Sequence, residues 1–211
     1  MMDQCCAPQA DPGDTKFRLI LWVALVLNAG MFLVEITAGI FANSVALQAD
    51  GIDFLSDSAN YAISLFVLGM SLRARALAAL IKAGSMGLFG VWVLASAAYY
   101  ILTGAMPQPL VMGPVALLAL AVNVAVALLL YAHRNGDSNR QSIWLCSRND
   151  AIGNVAVFAA AGLIWITYSP WPDILVALAM AGLALHSARA IWDQARAELK
   201  QVAATTPAPA K

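Results

Sequence analysis

Asp53 and Asp57 stand four residues apart in the stretch SVALQADGIDFLSDSANYAISLFVLG, which runs from 44 to 69 and contains no lysine or arginine. On a helix that spacing stacks the two carboxyl groups one turn apart on a single face. Like charges at that distance repel, and apolar surroundings disfavour the charged form further. Such a pair wants protons or a metal cation, and a site that accepts either can exchange them. Asp50 precedes the pair. It reads either as a group at the hydrated end or cap of the helix, or as an accessory acid of the same site. A second set of chemistry-bearing residues lies in WLCSRNDAIGNVAVFAAAGLIW, where Cys146 is four residues before Asp150 and Asn154 four after it. All three share one helical face, whereas Arg148 points elsewhere and reads as an interface residue. Thiolate beside carboxylate suits zinc, cobalt or cadmium better than magnesium or calcium. A lone cysteine is equally a small packing residue, so Cys146 stays open between ligand and filler.

Two further candidates lie outside these stretches. Asn28 and Glu35 are seven apart and so on one helical face. Glu35 reads as a supporting residue: a proton carrier, an outer-cavity acid, or the partner of a hydroxyl on the second helix. Cys5 and Cys6 form an adjacent thiol pair in MMDQCCAPQ, suited to capturing a soft metal or else incidental. His133 and His186 have no partner at metal spacing. Asn60 and Asn123 fit hydrogen bonds between helices, and Gly84, Gly87, Gly90 and Gly113 fit close helix contacts.

Long apolar elements must position these groups. The chain of 211 residues is 61% hydrophobic and 11% charged, against roughly a quarter charged in soluble domains. Six segments approach the ~20 apolar residues that a bilayer demands, at about 17–42, 45–70, 77–103, 109–132, 142–167 and 171–192. The fold class is therefore an all-α membrane protein of six transmembrane helices. An N-terminal tail, 1–16, and a short C-terminal tail, 193–211, flank the membrane domain at 17–192. All twelve lysines and arginines fall at the ends and in the loops between segments two and three and four and five. By the positive-inside rule both termini are cytoplasmic. The loops FANS, GAMPQP and YSPWPD carry no basic residue. Zero net charge argues against a nucleic-acid partner, and three cysteines make no disulfide framework. No nucleophile–base set or nucleotide loop supports an enzyme.

These residues resemble a known family, the cation diffusion facilitators, from about Leu21 to Leu199. NSVALQADGIDFLSDSANY is similar to the family's second-helix signature, with Asp53 and Asp57 at its ligand positions. CSRNDAIGNVAVFAAAGLIW resembles the fifth-helix motif, with Asp150 at one ligand position and Cys146 where the family has histidine. WPDILVALAMAGLAL resembles the start of the sixth helix. The resemblance implies a metal/proton antiporter of the bacterial inner membrane, exporting a divalent transition metal as substrate and holding no permanent cofactor. It implies a tetrahedral site of Asp53, Asp57, Asp150 and a fourth group, which is Cys146, Asn154 or water. The family's His-rich loop between helices four and five is missing. The expectation is a short form without the family's C-terminal cytoplasmic domain, in which a homodimer would be built through the transmembrane helices. A passive cation channel and a membrane metal sensor or partner protein are the rival readings.

Overall fold

The computed structural model describes residues 15–66, 71–131 and 138–205, with backbone alone at 138–149 and 204–205. The described residues form six helices: α1 (Thr15–Phe41), α2 (Val45–Phe66), α3 (Leu72–Thr103), α4 (Pro109–Tyr131), α5 (Ser138–Thr167) and α6 (Trp171–Thr205). Each begins and ends within a few residues of the sequence expectation except α3, which starts five residues earlier, and α6. That last helix continues unbroken past 192, so ARAIWDQARAEL extends the sixth helix instead of opening a tail. Cys5 and Cys6 lie outside the described residues.

Lipid-facing composition explains the outer helices. α1, α3, α4, α6 and residues 150–167 of α5 are each long and apolar enough to cross a membrane. Leu19, Leu33, Leu88, Leu110, Ile166 and Leu183 point outward, where hydrocarbon would cover them. By contrast, α2 buries 14 of its 22 residues. It packs against α1, α3, α5 and α6 and so occupies the middle of the bundle. A helix enclosed on every side can carry the acids that would be costly against lipid.

Local interactions set where α2 begins. Asn43 adopts a left-handed conformation (φ 53°) that turns the chain out of α1. Ser44 Oγ then accepts from the Leu47 N–H at 3.1 Å and donates to Asp173 Oδ1 at 2.6 Å. Asp173, on α6, also accepts from the N–H groups of Val45 (2.8 Å) and Ala46 (3.2 Å). The first turn of α2 is thus capped by its own serine and by a carboxylate from another helix. Gln108 N–H donates to Ala42 O at 2.8 Å and ties the loop before α4 to the same end of the bundle. α3 ends on Gly104, whose φ of 67° closes the helix with a bond from its N–H to Tyr100 O.

Close helix approach depends on glycines other than most of those expected. A Cβ at Gly90 would lie 2.9 Å from the Leu185 side chain, so this glycine does let α3 meet α6. Gly87 and Gly113 have nothing within 4 Å, and Gly84 only Trp192 at 4.0 Å. The tightest α1–α2 approach is at Gly39, where a Cβ would sit 2.8 Å from Gln48 Cγ.

Candidate metal centre

The inner face of α2 repeats at helical spacing through Asp50, Asp53, Asp57, Asn60, Tyr61 and Ser64. Asp57 faces α5, where its carboxyl comes within hydrogen-bonding reach of Asp150. Tyr61, one turn further along α2, donates its hydroxyl to Asp57. Asp53 and Asp150 are half-buried and Asp57 is buried. Asp57 and Asp150 meet across the two helices, and Asp53 lies one turn before Asp57 on α2.

A second, enclosed pair lies beside them. Glu35 from α1 and Asp50 from α2 are 0% and 1% exposed and face each other within hydrogen-bonding reach. Among the described residues no N–H or O–H donates to either Glu35 oxygen or to Asp50 Oδ2. A bond between two carboxyl groups needs a proton on one of them, so this pair is built to hold a proton or another cation. The enclosure narrows two open readings. Asp50 is neither a cap nor at a hydrated end, since Ser44 and Asp173 cap α2 and Asp50 is sealed inside. Glu35 meets a carboxyl instead of a hydroxyl; Ser58 and Ser64 donate back to their own helix, to Phe54 O (2.7 Å) and Asn60 O (2.8 Å). Gly153 on α5 helps the enclosure, because a Cβ there would lie 4.0 Å from Asp50 Oδ1.

The supporting amides behave alike. Asn154 Nδ2 donates to Asp150 O at 2.8 Å, which leaves its buried Oδ1 unpaired. Asn28 Nδ2 donates to Ala24 O at 2.8 Å, and its Oδ1 is also buried without a donor. Both turn an acceptor oxygen into the bundle. Cys146 lies on α5, but its side chain falls outside the described residues. Among the described residues the acids meet in pairs, and no three His, Cys, Asp or Glu groups close into a metal cage.

Two participants escaped the sequence reading. Tyr61 was legible, being four residues from Asp57 and on its face. Lys82 is a correction: grouped with the basic loop residues, it instead projects from α3 into the bundle, only 8% exposed. Its Nζ donates to Asn60 Oδ1, the interhelical bond expected of that asparagine, and it interacts electrostatically with Asp57. The aspartates of α2 therefore do have a basic neighbour, supplied by another helix. The signal was a single lysine about five residues inside a long apolar segment.

Comparison with known proteins identifies the family of this helical bundle. Residues 21–199 match the cation efflux transmembrane domain. The chain belongs to the cation efflux family. Among its relatives, the cadmium, cobalt and zinc/H(+)-K(+) antiporter of Bacillus subtilis is 24% identical over 81% of this chain and 59% of its own length. Zinc transporter ZitB of Escherichia coli is 27% identical over 84% of this chain and 60% of its own. Zinc transporter ZitB of Pectobacterium atrosepticum is 28% identical over 90% and 62%. This cation efflux protein thus spans about three-fifths of the length of those relatives. It is an integral, multi-pass membrane protein.

Proposed function

We propose that the protein exports divalent transition-metal ions from the bacterial cytoplasm across the inner membrane in exchange for protons. The observation that carries this reading is the meeting of Asp57 on α2 with Asp150 on α5 in the centre of the bundle, with half-buried Asp53 beside them. Carboxyls from two helices that can hold either protons or a cation form an exchange site when the helices shift relative to each other. In this reading α2 also crosses the membrane, which makes six spans, and both termini are cytoplasmic. Asp53, Asp57 and Asp150 bind the ion, Cys146 or the free Oδ1 of Asn154 completes the set, and Tyr61 orients Asp57. The Glu35–Asp50 pair carries protons beside the site. The relatives' names support zinc, cobalt and cadmium as the substrates to try first.

The test is metal uptake into proteoliposomes with a pH-sensitive dye inside, for wild type, Asp57→Ala and Cys146→Ala. Metal-dependent proton movement in wild type that disappears in Asp57→Ala is the expected result, and the Cys146 variant reports whether the thiol is a ligand. Stoichiometric metal binding without proton movement would instead make the protein a sensor or partner. Flux that neither saturates nor moves protons would make it a channel.

A further inference from the structure

The transport reading leaves Lys82 without a task, although a buried ammonium next to a cation site is the reverse of what metal binding asks for. Nothing about the fold demands it. An apolar side chain would suit a helix in lipid better, and buried lysines are rare unless paired. Its pairing is specific. Asn60 Oδ1 takes one of the three ammonium protons, and the positive charge is felt at Asp57, which lies three residues before Asn60 on the same face of α2. Asn60 thus anchors the ammonium beside the carboxyls, about one helical turn along α2 from Asp57 toward the C-terminal end.

Charge then limits what the site can do. With Asp53, Asp57 and Asp150 ionised and a neutral fourth ligand such as Asn154 Oδ1, the three negative charges and the one positive charge of Lys82 sum to minus two, the charge that one divalent ion cancels. Without Lys82 the same carboxylates would hold a dication in a site of net minus three, surrounded by protein of low dielectric. Tight binding of that kind opposes release, and a carrier must release its ion on every cycle. We propose that Lys82 is a fixed counter-cation of the metal site, anchored by Asn60, whose repulsion of the bound dication sets how fast the ion leaves. This inference rests on the metal-site reading above and adds a release-determining residue to it. Repulsion between a bound dication and a buried ammonium held on Asn60, one helical turn from Asp57, is large enough to change an off-rate by about an order of magnitude or more.

The experiment uses the full chain, purified in detergent and loaded with zinc, cobalt or cadmium, then mixed rapidly with excess chelator. Lys82→Met and Lys82→Gln are compared with wild type and with charge-conserving Lys82→Arg. The expected result is release slowed by about tenfold or more in both neutral variants and returned toward the wild-type rate by arginine. A merely structural lysine would give the opposite sign, since a loosened site lets its ion go faster. Release from Lys82→Met and Lys82→Gln at the wild-type rate or above it would overturn the inference while leaving the metal site standing. Failure of both neutral variants to fold would make Lys82 a structural counter-ion and overturn it too. Wild type that binds none of the three metals would remove the site reading, and this inference with it.

Discussion

At the scale of single residues, the site separates groups that meet the cation from groups that hold them in place. Asp57 and Asp150 touch across two helices, so Asp57→Asn or Asp150→Asn should each lower metal-driven proton movement by about a hundredfold or more, read as initial flux in vesicles. Tyr61 acts through Asp57, and losing an orienting hydroxyl costs about ten- to a hundredfold in metal affinity. Tyr61→Phe should therefore weaken metal binding by about that factor in a competition titration while the fold is kept. The acids on α2 and Asp150 on α5 were legible in the sequence because their spacing put them on helical faces with no apolar reason to be there. Lys82 was not legible as a partner, because it is 22 residues from Asn60 and only the packing of α3 on α2 joins them. Spacing finds neighbours on one helix and is blind to neighbours on two.

Individual elements obey the same division. All six helices could be read from hydropathy and loop residues, and the observed ends differ mainly at α3 and α6, where polar and amphipathic turns continue a helix that hydropathy alone would stop. What hydropathy could not show is that α2 is the enclosed helix, since enclosure is a property of its neighbours. Its first turn leans on Asp173. Asp173→Ala would strand two backbone N–H groups and Ser44 Oγ, and should destabilise the protein by about 2–4 kcal/mol, visible as a drop of several degrees in melting temperature in detergent. The glycines give a paired test. Gly90→Leu forces α3 off α6 and should cost about 1–3 kcal/mol, whereas Gly87→Ala enters open space and should gain up to about 1 kcal/mol from helix propensity. Equal effects at both positions would mean that the α3–α6 contact is not as tight as described. Glycine composition pointed to close packing, but which glycine is close depends on the crossing point, which sequence spacing does not encode.

For the whole molecule, the arrangement of basic residues predicts which ends face the cytoplasm. A fluorescent protein fused after 211 should fold and glow, and alkaline phosphatase fused within 105–108 should be active; the opposite pattern would invert the topology. Lys82 leaves that count, as it points into the bundle, but the basic residues near the other ends remain on one side. The bond network from Asp173 to Ser44, Val45 and Ala46 has a mechanical meaning as well. It fastens the first turn of α2 to α6, and Gln108 holds the neighbouring turn at that same extremity. Fastened there, α2 has a pivot about 20 Å along the helix from Asp57, and a swing about it would carry the Asn60–Lys82 bond to α3 along. Each ten degrees of swing about that pivot carries the Asp57 carboxyl through about 3.5 Å, more than the length of a metal–oxygen bond, while Asp50 at less than half the radius travels less than half as far. The same small rotation would part Asp57 from Asp150 and leave the sealed Glu35–Asp50 pair nearly in place.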